Sequence, residues 1–551
     1  MKRVDAKKID VLVVGAGFAG VYLTHQFREN GLSVQTVEAG QDVGGTWYWN
    51  RYPGARCDVP SVEYSYSFSK DLEKEWTWSE KYAPQPEILK YIQHVADRFD
   101  VRKDILFNTR VVKAHYVEKG NIWLVQTDDG KLFEANYFIL ATGNLSVPRL
   151  PSFKNMADFK GEFYHTGGWP TTPVDFKGKR VAVIGTGSSG IQSIPVIAED
   201  AAQLTVFIKD SNYTLPAGNQ ALTPDFTQAV KDNYPRIRRK ARETWGGILF
   251  NTNPTVESVT DVLSDIPRQS ERTLGSYSKE EVHQMMEDKY LGTGLGFVTN
   301  FPDIQYDETT DLRLREYLNE RIWTLVDDPK KAAALIPKSP HYADRRPVID
   351  TNYYQTFNRD NVEIVDVNNE PIIEFYEQGI RTNANDYAFD AIVCATGFDA
   401  MTGAINKIDI VGREGQVLKE KWMTGPRTYL GLMTNNFPNM FMIAGAGSPS
   451  VFCNMVLAIE QHVEWVSACI NYMKEKGKTT IEAKLEDEDE WVQHCIEVAK
   501  PLFVSRGDSW YVGANVPGKP RVFMPYIGGM PNYIAKCDEV VKNGYTGFTI
   551  Q

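Results

Sequence analysis

Two short aliphatic runs punctuate the chain, Ile9-Asp-Val-Leu-Val-Val14 and Arg180-Val-Ala-Val-Ile184, each ending at a glycine. A run this short, rich in β-branched residues and lacking strict alternation, predicts a parallel strand buried on both faces. After the first run, Val21 to Asn30 predicts a helix stopped at Gly31, and Leu32 to Val37 a second strand. After the second, a glycine turn leads into another helix, and Leu204 to Ile208 reads as the next strand. Ile88, Ile92, Val95 and Phe99 form the stripe of a helix packed on a core. Ile122 to Thr127 and Lys131 to Ala135 flank Asp129-Gly130, which predicts a hairpin with a type I′ turn. A strand from Tyr137 ends in Ala141-Thr142-Gly143, and a second, from Asp390, ends in Ala395-Thr396-Gly397. Asn361 to Val365 reads as a further strand, and residues 221–330 as a polar helical insertion with Pro and Gly breaks.

The turns after the two aliphatic runs share one pattern, Gly15-Ala-Gly17-Phe-Ala-Gly20 and Gly185-Thr-Gly187-Ser188-Ser189-Gly190. The first glycine permits a tight turn, the second lets a diphosphate approach the backbone, and the third allows close helix–strand packing. The diphosphate then meets the free N–H groups at a helix N-terminus. Glu38, at the end of the second strand, would accept hydrogen bonds from a ribose diol and repel a 2′-phosphate, so the first site is expected to take FAD or NAD. The corresponding residue of the second unit is Lys209, which favours a 2′-phosphate and hence NADP. Asp210 beside it would repel that phosphate, and Arg345 is a candidate second cation.

The expected fold is α/β, with two Rossmann-like dinucleotide-binding domains, one for FAD and one for NADP, and a helical insertion in the NADP domain. The FAD domain is expected over 1–145 and again over 386–551, and the NADP domain over 146–220 and 331–385 around an insertion at 221–330. Between the glycine turns lies Phe159-x-Gly161-x-x-x-His165-Thr166-x-x-Trp169-Pro170, polar and aromatic, with no clear helix or strand period. His165 is read as a positioning residue ahead of a proton carrier. Thr46, Trp47, Tyr48 and Trp49 belong to an irregular glycine and aromatic loop suited to cover a flavin.

Composition narrows the choices. The chain has 551 residues, more than one core accommodates, and its formal charge of −11 argues against nucleic acid as the main partner. The six cysteines lack CxxC and CxxxxC spacing, which argues against a disulfide-reductase pair and fits a reducing cytosol. The N-terminal segment has no signal-peptide core, and the longest apolar run, Val11 to Leu23, is too short to span a bilayer. A cytoplasmic protein without membrane partners is expected, with its oligomeric state open.

The two glycine patterns around the 159–170 motif resemble those of type I Baeyer–Villiger monooxygenases, and the resemblance covers nearly the whole chain. It implies bound FAD, NADPH as reductant, O2 and a ketone as substrates, and an ester or lactone formed through a C4a-peroxyflavin. Carried onto this sequence, the essential arginine falls at Arg346, the carboxylate near it at Asp58, and the nucleotide-phosphate contact at Arg345. Trp510 falls on the nicotinamide nucleotide and Met455 on the flavin side. Tyr64 and Val111 complete the FAD set, and Arg56, Cys57, Thr186, Ile191 and Gln192 join the NADP set. The sequence departs from the family pattern at Lys209-Asp210, where Arg-Thr is usual, and this bears on nucleotide preference. Two other readings are open. A flavin monooxygenase that oxidises nitrogen or sulfur would share the nucleotide motifs, and a non-catalytic NADP sensor would bind nucleotide without taking up oxygen.

Overall fold

A computed structural model describes residues 6–264, 273–291, 294, 296–299 and 301–551. Lys7–Val14 lies between Val34–Val37 and Leu132–Leu140, parallel to both, at the centre of an eight-stranded sheet. Its residues Val11, Leu12 and Val13 are fully buried, as the unalternating run predicts. The helix Phe18–Glu29 follows the first glycine turn and packs beside this strand.

The predicted hairpin and returning strand are one element. Leu132–Leu140 pairs with Ile122–Thr127 along its first half and with Met440–Met442 along its second. The turn is not type I′. Gly130 has φ +85°, while Asp129 is absent from the positive-φ residues. Gly130 N donates to Thr127 O at 3.1 Å and Thr127 N to Lys131 O at 3.1 Å, the bonding of a three-residue loop. Asp129 accepts Thr127 Oγ1 at 2.5 Å, so its carboxylate braces the turn without a left-handed backbone.

The second sheet is all parallel, in the order Val362–Asp366, Gln203–Ile208, Arg180–Ile184, Ala391–Cys394 and Glu162–His165. Two sequence readings change here. Glu162–His165 is an edge strand, although four residues are too few to display a period. Ala391–Cys394, beyond the boundary expected at 386, belongs to this sheet.

The helical stretch also divides. Pro224–Arg242 begins with Thr223 capping Phe226 N and Pro224 in its first turn. With Val256–Leu263, it buries Phe226, Val230, Ile237, Val259 and Val262 in the core of the first sheet. Lys279–Tyr290, Glu308–Leu325 and Pro329–Leu335 pack into the core of the second. The helices thus lie against both units, where the sequence reading assigns all of them to the second. Polar helices show their apolar stripe in the sequence but not which core receives it.

The two Ala-Thr-Gly segments carry the chain between sheets side by side. Arg149 N donates to Gly397 O at 2.8 Å and Asp399 N to Val147 O at 2.9 Å. All six cysteines are buried and unpaired. Among the described residues, no helix is long and apolar enough to cross a membrane.

Candidate active site

Both glycine turns open onto one cavity of about 1080 Å³. Each helix that follows begins at a glycine, Gly17 or Gly187, without a side-chain cap, so its first N–H groups are left for a ligand. A Cβ on Gly15 would come within 2.5 Å of Ala141 O, and one on Gly17 within 3.3 Å of the Gly45 Cα. At Gly187 a Cβ would meet nothing within 4 Å, so the open space there belongs to the cavity. Gly20 and Gly190 do not line it. A Cβ on either would strike the first glycine's carbonyl, at 1.8 and 2.2 Å, which fits a helix-packing role. The cradle therefore suits two dinucleotides.

On the first unit the cavity is lined by Gly15, Gly17, Glu38, Thr46, Trp47, Trp49, Tyr64, Val111 and Met455. Glu38 is 5% exposed, and its two oxygens accept from Ala16 N and Gly40 N, each at 2.7 Å. Burial raises its pKa against the opposing pull of these backbone bonds. Thr46–Trp49 forms a single helical turn, and Trp47 Nε1 donates to Tyr64 OH at 3.2 Å. Tyr48 is buried behind the lining, under the Arg51 guanidinium.

The second unit contributes Thr186, Gly187, Ser188, Ser189, Gln192, Lys209, Asp210 and Arg345 to the lining, while Ile191 is buried in its core. Gln192 fastens the two units together. It accepts from Tyr52 OH at 2.8 Å and donates to Arg56 O at 3.0 Å. Arg56 in turn reaches Glu80 at 2.8 Å.

The two arginines after Asp344 diverge. Arg345 has extended backbone, φ −128° and ψ 161°, and successive side chains of an extended segment point to opposite sides. Arg345 Nη2 pairs with Asp210 at 2.5 Å, and Arg346 Nη2 with Asp58 at 2.5 Å. Arg346 Nη1 also donates to Val451 O at 3.0 Å. The side chains of Arg346 and Asp58 are 28% and 27% exposed, and both line the cavity. Burial is the largest single influence on the Arg346 pKa and would lower it, but the charge and hydrogen bond of Asp58, with Tyr511 and Cys57, together turn the net shift upward. Cys57 lies next to this pair, its thiol pushed up by burial and by Asp58.

The linker motif lies off the cavity. His165 is 7% exposed and sits where the two crossovers meet. Its Nδ1 accepts from Gly167 N at 3.0 Å, which leaves Nε2 to donate to Thr396 Oγ1 at 3.2 Å. Thr396 Oγ1 donates onward to Arg149 O at 2.6 Å. Burial lowers the His165 pKa, so the ring is neutral at pH 7, in keeping with positioning. Thr166 is fully buried, and Phe159 packs in the core of the second unit, against Gly161. Trp169, just before Pro170, stacks on Tyr164, and its backbone N–H donates to Trp49 O at 3.3 Å.

Four lining residues share one feature, and three of them, Asn144, Ser509 and Asn515, are absent from the sequence candidates. Asn144 Nδ2, Arg345 Nε, Ser509 Oγ and Asn515 Oδ1 are buried without a hydrogen-bond partner, and all four residues border the cavity. Polar atoms free at a cavity wall fit a polar ligand there. For Ser509 the one signal in the sequence was its place beside Trp510. Lys338 also lines the cavity, seven residues before Arg345.

A cavity shared by two glycine turns, with a carboxylate-paired arginine in its wall, fits a two-dinucleotide flavoprotein. In agreement, the family model of flavin-binding monooxygenase-like proteins matches residues 6–218. A solved steroid monooxygenase bound to NADP is 47% identical, with TM-score 0.91 and 99% of each chain covered. The cyclohexanone 1,2-monooxygenase of Acinetobacter sp is 39% identical, over 98% of this chain and 96% of that protein. A Baeyer–Villiger monooxygenase of Pseudooceanicola batsensis is also 39% identical, over 98% of this chain and 95% of that protein. The chain belongs to the Baeyer–Villiger monooxygenases.

Proposed function

We propose that this chain inserts one oxygen atom of O2 beside a ketone carbonyl, giving an ester or lactone, with FAD in the first site and NADPH as reductant. The observation that carries the reading is the Arg346–Asp58 pair in the wall of the cavity that both glycine turns share. Bound FAD supplies the redox chemistry, accepting hydride from the nicotinamide and activating oxygen.

Each residue then has a task set by its chemistry. Arg346 offers a fixed positive charge to oxygen-centred negative charge and keeps its own proton, since a guanidinium does not deprotonate near neutrality. Asp58 and the Val451 carbonyl hold that guanidinium from two sides. Val451, Cys453, Met455 and Trp510 give the wall around it an apolar character suited to a ketone and hostile to water. Glu38 is poised for an adenosine ribose, and the uncapped helix ends for the two diphosphates.

The test is a panel of ketones and sulfides with NADPH, following oxygen uptake and products. Ester formation from a ketone is expected, and a preparation that oxidises only the sulfides would reject the reading. Arg346→Ala should still take hydride from NADPH yet form no ester, and normal ester yield would remove Arg346 from its role.

A further inference from the structure

Asp210 lies beside the second glycine turn, where Thr186 Oγ1 donates to its carbonyl at 2.8 Å. Its Oδ2 pairs with Arg345 Nη2 at 2.5 Å, and its Oδ1 accepts the Lys338 backbone N–H at 3.1 Å. Lys338 Nζ is turned to Asp366 at 3.0 Å. Asn368 Nδ2 bridges the Lys209 carbonyl at 2.5 Å and Asp366 Oδ1 at 2.6 Å. Lys209, Lys338 and Arg345 therefore border this end of the cavity, yet two of the three cations already hold carboxylates. Lys209 is exposed and has no ion-pair partner among the described residues.

This wall suits two ligands. A 2′-phosphate brings strong negative charge and draws on arginine's planar fork, so it competes with Asp210 for Arg345. A free ribose 2′-hydroxyl brings no charge, and a carboxylate accepts a hydrogen bond from it, as Glu38 is expected to do in the first site. Asp210 thus weakens the first ligand and serves the second.

We propose that Asp210 sets the nucleotide preference of this site: it releases Arg345 to a 2′-phosphate and accepts a 2′-hydroxyl when that phosphate is absent, so the chain holds NADPH and NADH with similar strength. The proposal rests on the reading that the second glycine turn binds a nicotinamide dinucleotide. Calorimetric titration of the FAD-loaded protein with NADP⁺ and NAD⁺ tests it without turnover. The expected dissociation constants differ by less than about tenfold in the parent. Asp210→Thr should widen that gap by at least about tenfold, tightening NADP⁺ and weakening NAD⁺. Asp210→Asn, which keeps an acceptor but no charge, should widen it through NADP⁺ alone. Retained flavin absorbance reports that each variant is folded. A parent gap above about tenfold, or a gap that neither variant moves, overturns the proposal and leaves the nucleotide reading intact. No binding of either nucleotide to the parent overturns both.

Discussion

Replacing Asp58 by Ala isolates what the arginine's partner contributes. Arg346 is held at Nη2 by Asp58 at 2.5 Å and at Nη1 by the Val451 carbonyl at 3.0 Å. The variant removes the charged anchor and keeps the neutral one. Removing one member of a fully buried ion pair costs roughly 3–5 kcal/mol. Here 28% and 27% of the two side chains are exposed. Screening reduces the expected loss to about 2 kcal/mol, or about 30-fold in the rate of the step that needs the guanidinium in place. The arginine stays charged without Asp58, so the loss is one of position, not of protonation. Stopped-flow reduction by NADPH should therefore be nearly unchanged, while ester formation falls by about 30-fold and hydrogen peroxide release rises in its place. Asp58→Asn, which retains an acceptor oxygen, should lose less. Ester formation within about twofold of the parent in Asp58→Ala would refute the argument that this carboxylate positions Arg346.

The glycine turns and a buried glutamate give further tests. Gly190→Ala should lower Tm through a clash with Gly185 O, at a cost of about 1–3 kcal/mol or more, whereas Gly187→Ala should keep Tm and weaken nucleotide binding, its Cβ entering open space. Thermal melts with and without NADP⁺ separate the two. Glu460 is 3% exposed, and burial raises its pKa to about 7 against the bonds from Ser67 and the charge of Arg238. A folded-state pKa above the unfolded value means that its contribution is complete below about pH 4.5 and is lost as pH rises toward 7. Glu460→Gln should therefore raise stability at pH 8 and leave it nearly unchanged at pH 4.5, as measured by denaturant midpoints; a stabilisation equal at both would contradict the assignment.

What the sequence makes legible follows from the range of each interaction. The glycine turns are local: φ +104° at Gly15 and +112° at Gly185, and the close approach at Gly20 and Gly190, are written in six residues each. The Arg346–Asp58 pair joins positions 288 residues apart, and nothing in the spacing announces it. It was legible only through the family resemblance. Asp210 is only half legible for the same reason. Beside Lys209 in sequence it reads as repulsion of a 2′-phosphate, and the sequence does not announce that it also holds Arg345, 135 residues away. The edge strand Glu162–His165 escapes notice because its pairing partner, Ala391–Cys394, lies over 200 residues on and its own four residues alternate too briefly. Asn144, Ser509 and Asn515 are ordinary polar residues until their unpartnered atoms are found at the cavity wall.

The paired passage of the chain between its sheets has a mechanical consequence. A lone tether would resist twisting little, but here two of the chain's passages between the units are laced to each other by the bonds between Arg149 and Gly397 and between Asp399 and Val147. A two-ply strap folds about one line and resists torsion. Together with Gln192, bonded to Tyr52 and to the Arg56 carbonyl, this strap keeps Arg346 of the second unit in register with Asp58 of the first.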